Sequence, residues 1–172
     1  MKKTIALGIA ILISIAAITG CNGNDDDIDT TEHIAKIYTF SGASEFITIY
    51  NGVIILTSEL EQFAGGELSF KGEVLSGVRS YRTEFYFYLN GDKTVINSSI
   101  VSIEGSEEGI SISPDLGTTS SEKMFNKEVW GIITETEALH FSLSGTFMNG
   151  ETFEYNLTLN VNEVYSTASR VE

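Results

Sequence analysis

The chain has 172 residues, with 24 acidic against 10 basic and a formal net charge of −14, a length that suits one domain with a tail rather than two ordinary domains. Hydrophobic residues at 42% and aromatics at 10% supply a core and exclude wholesale disorder. The acidity argues against nucleic acid as a partner, the single Cys excludes an internal disulfide or a multi-thiolate zinc site, and two His leave little for a His-based metal centre.

The first element is an address. Lys2 and Lys3 precede an apolar run from Ile5 to Ile18 that is interrupted only by Gly8 and Ser14, followed by Thr19-Gly20-Cys21. A positive start and an apolar stretch form the layout of a secretory signal peptide. Ile18-Thr19-Gly20-Cys21 resembles the lipobox of bacterial lipoproteins. That resemblance covers residues 1–21 and implies cleavage before Cys21, a diacylglyceryl group on its sulfur (with acyl chains such as palmitate) and attachment to a membrane. Two acyl chains hold stably where one binds only marginally. The competing reading is an uncleaved anchor, since ~18 apolar residues can just span a bilayer, but it gives Gly20-Cys21 no role. By the lipoprotein sorting rule, Asn22 in place of Asp implies the outer membrane of a two-membrane cell, and a one-membrane cell would carry the protein on the outer leaflet of its cell membrane. Either way the protein faces outside the cytoplasm.

Loss of residues 1–20 removes both signal lysines, leaving 8 bases against 24 acids, or −16. Residues 21–31 then form the lipidated Cys and a tether rich in Asp (Asp25, Asp26, Asp27, Asp29), extended by like-charge repulsion. A calcium-loop reading from Asp25 fails, because Thr30 stands where Gly is required and Lys36 where Glu is required. No metal and no cofactor is expected.

From residue 32 to 165 the sequence reads as a single all-β domain. Strands are predicted at Ala35–Phe40, Glu45–Leu56, Gly66–Glu73, Tyr81–Leu89, Thr94–Ile103, Ile110–Ser113 and Glu128–Ile133, and around Leu139–Phe147 and Phe153–Val161, where apolar and polar residues alternate with period two. Asn90-Gly91 and Asn149-Gly150 signal hairpins. Asn51-Gly52 is better placed as a bulge within one long strand. Matching the apolar faces of the last two strands requires odd positions opposite odd. That predicts Phe147 opposite Phe153, Leu143 opposite Leu157, and either an odd-length loop or a bulge at Gly145. Ser58-Glu59-Leu60-Glu61 has capping-box spacing, with Gly65 as a stop, which predicts one short helix near 59–64. Glu104 to Met124 reads as a long crossing loop and residues 166–172 as a frayed tail. These elements predict an antiparallel β-sandwich of about eight strands, immunoglobulin-like only in the loose sense because the Cys…Trp…Cys spacing is missing. Gly42-Ala43-Ser44-Glu45-Phe46 and Phe147-Met148-Asn149-Gly150-Glu151-Thr152-Phe153 are similar to the opening and closing stretches of small uncharacterised bacterial lipoproteins. Ala43 departs from that pattern and Phe46 stands where Trp would. The similarity implies no activity.

No nucleophile elbow, phosphate loop or His-Glu-x-x-His motif is present. Of the bases, His33 lies by the tether and His140 on the polar side of its strand. The carboxylate pairs Glu59 with Glu61, Glu107 with Glu108 and Glu135 with Glu137 read as solvated charges, so no catalytic residue is expected. In Phe85-Tyr86-Phe87-Tyr88-Leu89, one face carries Phe85, Phe87 and Leu89, and the other carries Arg82, Glu84, Tyr86 and Tyr88. If the first is core, Tyr86 and Tyr88 form a platform able to stack on a sugar or anchor a protein, unless a loop or helix covers them. Trp130 is expected in the core. The functional expectation is a membrane-anchored, surface-exposed, non-catalytic binding module for an envelope protein or glycan. The alternatives are an inhibitor or immunity-type lipoprotein for a basic target, or a surface hydrolase using paired carboxylates.

Overall fold

The computed structural model describes residues 35–72, 75–104, 109–124, 127–135 and 137–167. The signal and lipobox, the tether, His33, the Glu107-Glu108 pair and residues 168–172 lie outside the described residues. Among the described residues no helix is long and apolar enough to cross a membrane.

The domain is antiparallel β throughout. In chain order it comprises β1 (Ala35–Ala43), β2 (Ile47–Leu56), β3 (Glu61–Ala64), β4 (Glu67–Phe70), β5 (Val78–Leu89), β6 (Asp92–Ser102), β7 (Thr118–Ser121), α1 (Lys127–Ile133), β8 (Leu139–Phe147) and β9 (Thr152–Thr167). The hydrogen-bonded order is β6-β5-β8-β9-β1-β2-β3-β7, with β4 also on β2. Two layers share β9: its residues from Thr152 to Leu159 pair with β8, and those from Asn160 to Thr167 pair with β1. Ser166 and Thr167 therefore belong to a strand, opposite Lys36 and Ala35, and not to a frayed tail.

Phenylalanines lock the layers together. Phe40 of β1 and Phe63 of β3 stack at 5.2 Å, Phe85 of β5 meets Phe63 edge-on at 5.0 Å, and Phe141 of β8 lies 5.0 Å from Phe85. All four are buried, as are Ile47, Ile49, Ile54, Leu139, Leu143 and Leu159. The alternation in the sequence thus maps onto the buried faces, and offset or edge-on ring pairs add to the plain burial of apolar area.

Turn residues set the registers. Asn90 and Gly91, both at positive φ (54° and 90°), make a two-residue turn that places Leu89 opposite Asp92, the geometry that matches strand twist. Asn51, at φ 59°, is the bulge residue of one continuous β2: the pairing with β1 shifts between Phe40↔Gly52 and Gly42↔Ile49. The bulge also divides β2, whose residues 47–50 pair with β4 and 53–56 with β3.

The β8–β9 hairpin keeps odd opposite odd but sits one pair away from the expected register. Leu143 faces Tyr155, and Gly145 faces Phe153. The reason is a three-residue turn, Met148 to Gly150: the Gly150 N–H donates to Phe147 O at 3.0 Å, the Phe147 N–H to Glu151 O at 2.8 Å, and Gly150 takes φ 90°. An odd loop suffices, and Gly145 is not a bulge, since the register runs through it unbroken. Its missing side chain makes room for the Phe153 ring, whose Cζ would lie 2.4 Å from a Cβ placed there. Gly52 is covered by Phe40 in the same way, at 2.1 Å. Each glycine faces its aromatic directly across the ladder, an arrangement that restores the packing a glycine removes from a sheet.

Two elements differ from the sequence reading. The expected helix near 59–64 is strand β3. Its four residues pair with β2 on one side and β7 on the other, and Phe63 is fully buried. The Thr57 hydroxyl takes the Leu60 N–H at 2.8 Å and closes a hairpin rather than capping a helix. So short a segment cannot repay helix nucleation when two ladders compete for its backbone. Conversely, the strand expected at Glu128–Ile133 lies in α1. Val129, Trp130 and Ile133 are buried, and positions i, i+1 and i+4 share a helix face. Thr134 closes the helix through its hydroxyl on Trp130 O at 2.7 Å. Ile110–Ser113 makes only an isolated bridge, Ile110 to Val78.

Candidate functional site

Strand β5 carries the site because its two faces differ. Phe85 and Phe87 point into the core, which forces Arg82, Glu84, Tyr86 and Tyr88 to the outer face of the layer formed by β6, β5, β8 and β9. Pairing then fixes the neighbours: Lys93 of β6 stands opposite Tyr88, and His140 of β8 opposite Tyr86.

Three rings form a cluster. Tyr86 stacks on His140 at 5.3 Å and 27°. Tyr88 meets Tyr86 edge-on at 5.7 Å and His140 at 5.5 Å. The Lys93 ammonium sits 4.1 Å over the Tyr86 ring, within cation–π range, and donates to Glu84 Oε2 at 2.7 Å, while Arg82 pairs with Glu84 Oε1. Both carboxylate oxygens of Glu84 are thus engaged by cations.

The two tyrosines are not equivalent. Tyr86 is 8% exposed and Tyr88 51% exposed. Among the described residues, Lys93, His140 and Tyr88, its own sheet neighbours, close over Tyr86. Burial, reinforced by Tyr88, raises the Tyr86 phenol above its ordinary pKa. Burial also lowers the His140 pKa, and its Nδ1 lies 3.3 Å from the Thr158 hydroxyl. Tyr86 therefore supports the surface while Tyr88 forms it. His140 was identifiable as an outer-face residue from alternation alone, but its stacking partner depends on the β5–β8 register, which no local signal encodes.

Along the same face a shallow groove of about 600 Å³ is lined by Ser80, Arg82, Ile100, Ser144, Thr152 and Glu154. Arg82 and Tyr88 are six residues apart on β5, so groove and ring lie along one strip about 20 Å long at ~3.4 Å per residue. Hydroxyls, an arginine and a carboxylate at one end and an exposed ring at the other make a surface able to hydrogen-bond and stack.

The expected carboxylate pairs are not drawn into this strip. Glu59, Glu135 and Glu137 are exposed, and Glu61 accepts the Met124 N–H, a structural role. Among the described residues no group of three or more His, Cys, Asp or Glu could hold a metal ion. Trp130 is buried in α1. No protein-family model matches this chain, and no curated protein or solved structure matches it either.

Proposed function

We propose that the protein is a lipid-anchored, non-catalytic binding module that faces outside the cytoplasm and holds an envelope glycan on the outer face of β5. The anchor is Cys21, read from the lipobox-like Ile18-Thr19-Gly20-Cys21 after its apolar run, and Asn22 to Thr31 is the spacer. The observation that carries the binding assignment is the half-exposed Tyr88 ring, braced by Tyr86 and His140 and continuous with a groove of hydroxyl and charged side chains. Sugars offer an apolar C–H face for a ring and hydroxyls for hydrogen bonds. A shallow strip suits a glycan chain better than it suits a small molecule, which is ordinarily held in a concave pocket. Tyr88 stacks on the sugar, and Arg82, Glu154 and the Ser and Thr hydroxyls take its polar groups.

The test is retention of the purified protein on isolated cell-wall glycan and on envelope polysaccharide at low and high salt. Retention that resists salt and is lost in Tyr88→Ala supports the reading. Retention unchanged in Tyr88→Ala, or capture only of basic proteins and only at low salt, overturns it.

A further inference from the structure

Among the described residues the sheet has three edge strands of very different kind. β4 and β7 are edges of four residues each, and a short edge offers little to pair with. β6 is an edge of eleven residues, paired among the described residues with β5 alone. Among the described residues, none of the backbone bonds outside the ladders involves residues 92–102.

Its composition is equally distinct. Thr94-Val95-Ile96-Asn97-Ser98-Ser99-Ile100-Val101-Ser102-Ile103 contains no charged residue, no proline and no glycine, in a chain of net charge −14. Natural edges are ordinarily protected by lysines, prolines or shortness. Here Asp92 and Lys93 stand at the entrance, and the remainder is β-prone and uncharged. Ile96 and Val101 pack on the core side, but two apolar side chains point outward: Ile100 is 66% and Val95 38% exposed.

We infer that β6 is the interface of a homodimer, in which the β6 strands of two copies pair antiparallel and join two four-stranded layers into one continuous sheet. A second copy fits better than another partner for two reasons of charge. Two acidic domains repel unless they meet where neither carries charge, and this strand is such a stretch. Repulsion from the rest of each domain is screened beyond ~8 Å at physiological salt. The ends of the strand are also self-complementary. In an antiparallel pair centred on Ser98, the extra residue at the register shift of each strand brings Val95 of each copy opposite Ile100 of the other, and Lys93 of each approaches exposed Glu104 of the other. The register shift on β6 between Val95 and Asn97 is what places Val95 and Ile100 on the same outer face despite their odd spacing. A two-fold interface of this kind closes on itself and leaves no edge for further addition through β6. It also sets both Tyr88 strips on one surface, although the dimer stands whether or not Tyr88 binds a glycan.

The test uses the full-length protein in detergent, sedimented over a range of concentrations. The wild type is expected to be a dimer at high concentration and Ile100→Lys a monomer, weakened at least about tenfold in association. Ile100 is exposed, so the variant should keep the wild-type denaturation midpoint. As a second reading, Val95→Cys with Ile100→Cys in one chain is expected to give a covalent dimer without reductant, while each single variant does not. A wild-type monomer at every concentration, or a dimer that Ile100→Lys leaves intact, would overturn the inference.

Discussion

Truncating Phe85 to alanine should be the most damaging single change in the core. The ring is 1% exposed and touches three others drawn from both layers: Phe40 at 5.7 Å, Phe63 at 5.0 Å and Phe141 at 5.0 Å. A buried Phe→Ala change costs roughly 3–5 kcal/mol through lost transfer energy and the cavity left behind. Each lost edge-on or tilted ring pair is worth roughly 0.5–1.5 kcal/mol beyond area, and this places Phe85→Ala at the upper end, about 5 kcal/mol. With a urea slope of about 2 kcal/mol/M, the denaturation midpoint falls by about 2.5 M. If that leaves no folded state to measure, Phe85→Leu keeps most of the volume and should lose about 1–2 kcal/mol. The assay is urea denaturation followed by near-ultraviolet circular dichroism. A loss below about 1 kcal/mol for Phe85→Ala would mean that the ring does not join the two layers and that the packing described is wrong.

The glycine–aromatic pairs should respond differently to rescue. At Gly52 the three nearest neighbours of an added Cβ are all Phe40 ring atoms, so Gly52→Ala should destabilise by roughly 1–3 kcal/mol and show strong coupling with Phe40→Leu in a double-mutant cycle. At Gly145 the Ser80 carbonyl also lies at 2.5 Å, so Phe153→Leu should rescue Gly145→Ala only in part. Burial lowers the His140 pKa in the fold, so the unfolded chain binds more protons below its ordinary pKa of about 6.5. Stability should therefore be unaffected by His140 above that pH and fall as pH drops below it, and urea midpoints of His140→Asn should lack that part of the decline. For the proposed anchor, Cys21→Ala should abolish incorporation of labelled fatty acid and leave a longer precursor, whereas unchanged labelling and size would exclude lipidation at that residue.

The legible parts of the fold were those written in alternation and in turn residues. Phe153 to Val161 showed its buried face in sequence, Asn90-Gly91 its turn, and Asn51-Gly52 its bulge, because each depends on neighbours along the chain. Parity predicted which faces of β8 and β9 meet. It could not choose between registers one pair apart, because that depends on how tightly Met148 to Gly150 turn. The misread elements were short and decided by distant partners. Glu61 to Ala64 is a strand because β2 and β7 flank it, and Lys127 to Ile133 is a helix although Val129, Trp130, Ile132 and Ile133 all favour strands. At the candidate site, the outer positions of Tyr86 and Tyr88 followed from alternation. Their unequal exposure did not, since Lys93 and His140 reach Tyr86 from two other strands.

The most direct measurement is glycan binding by two tyrosine variants of matched exposure. Tyr88 and Tyr165 are each 51% exposed, but only Tyr88 stands on the outer face of β5 beside Tyr86, His140 and the groove. Binding to envelope glycan lost in Tyr88→Ala and kept in Tyr165→Ala is the predicted result. Equal retention of binding in both variants, or equal loss, would contradict a site on that strip.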